Sequence, residues 1–327
     1  MKFGPSRSRG RWILVVAAFT LAAGAARAQF VWDGTTTLIL TSLLSNTVGS
    51  GLTLSITTAN NHDYSGIAIV NHGTVNWTAG SLRSGNNGSF TNDGTFNDQL
   101  TAATDVNADI GNGVATFTNA AGGSYLKTGN VTTRFYTMPF NNSGSVTVNA
   151  GTLQFNAGGT NSASGTFSVA ANALVLFTND YTLSSGSTLS GAGGYQLSSG
   201  GLTINGTASI STLNQTGGSL LGSQTLTDTA FNWTAGNWNA SAATTLGAGT
   251  VLTISSANDH DYDARAITND GTVNWTGGRL RSGDNGSFTN HGSFNDQVTA
   301  ATDVNADYRN GAATFTNALG ASYTKSG

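Results

Sequence analysis

The sequence predicts an all-β chain wound into a right-handed parallel β-helix, and three observations carry that prediction. Residues 54–129 recur as residues 252–327 at a constant offset of 198, without a gap and with 54 of 76 positions identical. Self-similarity of this kind is the signature of a solenoid, propeller or array. A shorter period runs inside each copy: IVNHGTV begins at Ile69, FTNDGTF at Phe90, FTNAAGG at Phe117 and FNNSGSV at Phe140. Steps of 21, 27 and 23 residues match one turn of such a helix, and nine turns of 22 would account for the offset. Finally, apolar and polar residues alternate through short runs, and no stretch after residue 28 shows the 3.6-residue periodicity of a helix.

Taken in chain order, the first element is a leader. Lys2, Arg7, Arg9 and Arg11 precede the apolar run WILVVAAFTLAAGA at 12–25, which is too short to span a bilayer comfortably. Ala26-Arg27-Ala28 fits a small-x-small cleavage site, so residues 1–28 read as a signal peptide cut after Ala28. The leader lacks an Arg-Arg pair, which points to the general secretory route. Five of the 13 basic residues lie in this leader and all 16 acids lie beyond it. The mature chain therefore sets eight basic residues against sixteen acidic ones, a balance of −8 that argues against a nucleic-acid or anionic-membrane partner.

Residues 29–327 form one solenoid in this reading. Every acid is Asp; Asp and Asn favour turns by bonding their own backbone, whereas Glu favours helices. The chain has 44 Gly, 2 Pro and no Cys. Crosslinks, metal–thiolate sites and a cysteine nucleophile are thereby excluded, so stability rests on packing and backbone hydrogen bonds. Strands are expected at TVNW (74–77), SVTV (145–148), TLQF (152–155), TFSV (166–169) and LTI (202–204), with Val75 and Trp77 on one face and Asn76 on the other. A single coil buries too little apolar surface to offset its backbone entropy, so coils must stack. Stacking aligns Asn71, Asn92, Asn119 and Asn142 at one corner and Phe90, Phe117 and Phe140 inside. About 13 coils are expected, giving a rod of roughly 60–65 Å at the usual strand spacing. The rival architecture, an antiparallel sandwich array, is disfavoured by Gly-plus-Asn turns at near-regular spacing.

The units FTNDGTF, PFNNSGSVTVNAGTLQFNAGGT (139–160), SGTFSVAANALVLF (164–177) and STLSGAGGYQL (187–197) resemble the Gly/Asn/Thr-rich repeats of large bacterial exported proteins, among them the passenger regions of autotransporter adhesins. The resemblance covers the mature chain and implies a parallel β-helix, export and a surface or matrix role, without implying a ligand. No translocator-like series of amphipathic strands follows, and the end SYTKSG matches SYLKTG at 124–129, where the first copy runs on. A piece of a longer protein is expected, with an uncapped coil able to associate end to end.

Candidate chemistry is sparse. DVNAD at 105–109 and 303–307 places Asp, Asn and Asp at alternate positions, like the start of a calcium loop. The sixth position is Ile110 or Tyr308 rather than Gly, and the twelfth is Thr116 or Thr314 rather than an acid, so a polar loop is the simpler reading. HDY at 62–64 and 260–262 sets an imidazole beside a carboxylate, yet beside Asn60 and Asn61 it reads as a turn. Asp63, Arg83, Asp93 and Asp98 read as charges dispersed through turns, and 135–227 holds a single charged residue, Asp180. Threonines in TTTLILT (35–41) and TLSITT (53–58) raise a flat ice-binding face, but no T-x-T recurs at constant coil length. Trp77, Trp233, Trp238 and Trp275 stack on sugars only if exposed; a core role fits their spacing better. Asn76 and Asn87 head N-x-S/T triplets that follow from composition.

No catalytic, cofactor-binding or metal residue is assigned. The expectation is a non-enzymatic secreted or surface protein, a rigid rod or adhesin-like scaffold displaying polar turns to extracellular glycans or cell surfaces. The alternative is a polysaccharide lyase or glycosidase, a class that also uses this fold.

Overall fold

The computed structural model describes residues 29–34, 46–111, 114–309 and 312–327; the leader at 1–28 and the threonine run at 35–41 lie outside the described residues. The described chain is a parallel β-solenoid of about 12 turns without a helix. Every strand pairing is parallel, which removes the antiparallel sandwich.

Each coil contributes three short strands. One face is a 14-stranded sheet running from Gln29–Trp32 through Thr74–Trp77 and Ser145–Val148 to Thr314–Asn317. The other two faces belong to a 24-stranded sheet, joined through two long strands, Thr212–Leu221 and Ala230–Asn237, that run round a corner. The second face begins with Thr47–Val48, Ala68–Asn71 and Ser89–Asn92, and the third with His62–Asp63 and Leu82–Arg83. The five strands expected from alternation are all present.

Side chains alternate in and out, so each four-residue strand sends two residues into one continuous core. Phe90, Phe117 and Phe140 stack near-parallel at centroid separations of 5.1 and 5.4 Å. Phe96 lies over Tyr125 in the same way at 5.3 Å. At the corner between the second and first faces, Asn71 donates to Asn92, Asn92 to Asn119, Asn119 to Asn142 and Asn142 to Asn161, each at 2.7–2.8 Å. The ladder carries one rung more than the sequence pattern promised and ends on the Ser187 hydroxyl. These amides are fully buried, and their bonds satisfy backbone groups that the two-residue turn leaves open. Glycine follows in N-x-G because a Cβ at Gly73 would run into the Gly49 and Leu52 carbonyls of the preceding coil.

The internal repeat departs from the expected nine turns. Ile69, Phe90 and Phe117 lie on the second face, whereas their equivalents Ile267, Phe288 and Phe315 lie on the 14-stranded first face. Trp77, Phe96 and Tyr125 belong to the first face, and Trp275, Phe294 and Tyr323 to the third. The 198-residue offset thus corresponds to nine coils and a further third, because several intervening coils are shorter than 22 residues. A second asparagine ladder, Asn269–Asn290–Asn317, accordingly stands at a different corner from the first. The same side chains are presented again, turned by about one face.

Candidate functional surface

Most ionisable groups on the outer surface meet a partner on a neighbouring coil. Arg83 forms a bidentate pair with Asp63 (both contacts 2.9 Å), and Arg134 does so with Asp105 at 2.8 Å while its guanidinium lies over the Tyr136 ring. In the second copy Arg281 pairs with Asp261, and Arg279 with Asp259. His72 meets Asp93 at 3.2 Å and His291 meets Asp270 at 3.0 Å. These carboxylates raise the affinity of Arg83, Arg134, Arg279 and Arg281 for their protons, and Arg279 in turn holds Asp259 below the usual carboxylate range. Charge here clamps one coil to the next.

The HDY motif separates in space. In a strand of period two, His62 points inward and Asp63 outward, so the imidazole and carboxylate face opposite sides of the sheet. His62 Nε2 lies 3.0 Å from the Trp32 carbonyl, and the ring sits edge-on to Trp32; His260 repeats this with Trp233. Burial lowers both imidazole pKa values, partly opposed by their backbone hydrogen bonds. A His–Asp dyad is not formed.

DVNAD is also dispersed. Asp105 is committed to Arg134, and in the second copy Asn305 donates to Asp307 at 3.0 Å. Among the described residues no group of three His, Asp, Glu or Cys side chains converges. The four tryptophans are core residues: Trp77, Trp233 and Trp275 donate to carbonyls of the following turn, and Trp238 donates to Gln215 while stacking on Trp233 at 4.4 Å. Asn76 accepts from Asn97 on the next coil, and Asn87 occupies an exposed turn with φ of 62°.

Three charges expected in turns lie in strands. Asp63 and Arg83 are the outward residues of His62–Asp63 and Leu82–Arg83, whereas Asp98 is the inward residue of Thr95–Asp98 and is fully buried with Lys127, Tyr125 and Thr133. Alternation with Phe96 was the signal that placed it inside. Constant coil length proved unnecessary for a threonine array, because loops absorb the variation. Thr74, Thr95, Ser124, Ser145, Thr166 and Thr188 stand in one outward file on the first face although their spacings range from 21 to 29 residues. From Thr53–Ile56 to Thr314–Asn317 the outward positions of that sheet are mainly Thr and Ser and include no ionisable residue.

Among the described residues two well-formed concavities are open to solvent, one bounded by Gln99–Thr101 and residues 128–131, the other by Asp180 and the 200, 218 and 236 glycine turns. Among the described residues no helix is long and apolar enough to cross a membrane. Comparison with protein-family models, with curated proteins and with solved structures finds no match to this chain.

Proposed function

We propose that this protein is a non-enzymatic, secreted or cell-surface rod, of the adhesin-like kind that its repeats resemble, exported through the leader at 1–28. The observation that carries this reading is that several differences between the two copies come as complementary partners that meet across stacked coils. Asn61 and Ser81 become Asp259 and Arg279, which pair at 2.8 Å. His72 over Asp93 becomes Asp270 over His291, an exchange that keeps the contact. Ser65 and Gly111 become Asp263 and Arg309, which meet at 3.3 Å. Such coupling preserves cohesion between coils while the surface drifts, as a scaffold requires. The uncharged Thr/Ser face is the surface offered for hydrogen bonding to extracellular glycans.

Binding of the purified mature chain to a glycan array and to intact cells tests the reading. Retention on glycans or cells, with no release of reducing or unsaturated sugar from polysaccharides, supports it. Turnover of a polysaccharide would establish the lyase or glycosidase alternative instead.

A further inference from the structure

Two oppositely charged side chains lie inside the column, where water does not reach. Asp98 and Lys127 are directly opposed partners on adjacent parallel strands, and both side chains are fully buried. Lys127 Nζ stands 3.6 Å from Asp98 Oδ2. Three further groups converge on the carboxylate. The Tyr125 hydroxyl donates to Oδ2 at 2.8 Å, the Thr133 hydroxyl donates to the same oxygen at 2.6 Å, and the Leu100 amide points at Oδ1 at 3.4 Å. Lys127 Nζ in turn donates to Thr133 Oγ1 at 2.9 Å. Thr133 therefore connects amine to carboxylate through a continuous hydrogen-bonded path.

We propose that Lys127 and Asp98 condense into an intramolecular amide that joins two consecutive coils covalently. A desolvated ion pair is costly, and conversion to an uncharged amide relieves that cost. Burial lowers the Lys127 pKa, which favours the amine, the nucleophilic form. In the reaction Nζ attacks Asp98 Cγ, and the Nζ–Cγ bond forms. Thr133 passes two protons in succession from Nζ to Oδ2, with Tyr125 donating to that oxygen as the Cγ–Oδ2 bond breaks. Oδ2 leaves as water, and Oδ1 remains as the amide carbonyl beside the Leu100 N–H. Atoms and charge balance without an oxidant or co-reactant, since an ammonium and a carboxylate become an amide and water.

The second copy supplies an internal contrast. Tyr323 donates to Asp296 at 3.0 Å and Lys325 Nζ lies 3.3 Å from Oδ1. Lys325, however, is half exposed, and its ammonium donates to the Val298 carbonyl. With the ammonium half exposed and turned to a carbonyl, this pair stays ionic.

Intact-mass spectrometry of the purified full-length mature chain decides the matter. The expected mass is lighter than the sequence mass by one water molecule. Tryptic digestion should leave Lys127 uncut, within a single internally cyclised peptide, residues 84–134, that carries Asp98 as well and is lighter than its sequence mass by one water, while cleavage proceeds at Lys325. Lys127→Arg, which keeps the charge but cannot form this amide, should restore the full sequence mass. An unmodified wild-type mass with cleavage after Lys127 would overturn the proposal, as would a water loss that persists in Lys127→Arg. The wild-type measurement decides even if the variant fails to fold.

Discussion

At the scale of single residues, the molecule holds its coils together with side chains that reach one strand spacing up or down. Asn119 illustrates the economy of the buried ladder: its carboxamide accepts from Asn92 and donates to Asn142 and the Ser145 carbonyl. Asn119→Ala takes one hydrogen bond each from Asn92 Nδ2, which keeps the Ser124 carbonyl, and from Asn142 Oδ1, which keeps the Gly144 N–H. A buried hydrogen bond contributes about 0.5–1.5 kcal/mol, so the variant should lose about 1–3 kcal/mol, read as a lower urea midpoint with an unchanged slope. The surface ion pairs matter less individually, at about 0.2–1 kcal/mol each; removing Arg279 alone should move the same midpoint little. The two inward histidines give the chain an acid limit. Burial lowers their pKa values below the free-imidazole value of about 6.5, so between those values the unfolded chain binds protons that the folded chain refuses. Stability from these sites is therefore complete above about pH 6.5 and declines as pH falls below it. Equilibrium unfolding at stepped pH should show that decline. His62→Phe with His260→Phe, if folded, should flatten it; an unchanged slope would show that other groups set the acid limit.

At the scale of the strand and turn, the aromatic file is the test of register. Phe90 is enclosed by Tyr64, Phe96 and Phe117. Phe90→Asp inserts an unpaired carboxylate into that file, and failure to fold is expected. A soluble variant with wild-type circular dichroism would contradict the packing. Much at this level was legible beforehand, because a strand of period two and an N-x-G turn leave local marks: TVNW, TLQF and TFSV each announce which residues point inward. The same rule also held the positions of His62 and Asp98, yet residue type obscured it, since a histidine and aspartate beside two asparagines read as a turn, and so does a lone aspartate. Which groups lie beneath a given residue was not legible. Loop lengths set that relation, so the bond from Thr133 to Asp98, spanning 35 residues, emerges only when coils of unequal length are stacked. Arg265 makes the point most sharply. It replaces Ile67 of the first copy, yet it is fully buried, donating to the Leu220, Gly222 and Trp238 carbonyls and to the Thr244 hydroxyl, while desolvation lowers its pKa to about 10.

At the scale of the whole molecule, the offset of nine and one-third coils decides what the repeat presents to its surroundings. Had the copies been in phase, both would face one side of the rod, and a flat partner could engage both at once. Instead the exposed turns at Asn86–Asn87 and Asp284–Asn285, equivalent in sequence and alike in positive φ, stand at different corners. A parallel stack advances about 4.8 Å per coil, which places these turns roughly 45 Å apart along the axis and about a third of a revolution apart around it. One rod can then bridge partners on different sides, whereas two sites on one side would favour a single partner held twice. Short epitope tags inserted singly and together in the two turns, each bound by one antibody fragment, make the angle measurable by electron microscopy. Fragments should project from different sides of the doubly tagged rod. Fragments projecting in the same direction would mean that the coils between the copies complete a whole number of turns, and the two asparagine ladders would then have to share a corner.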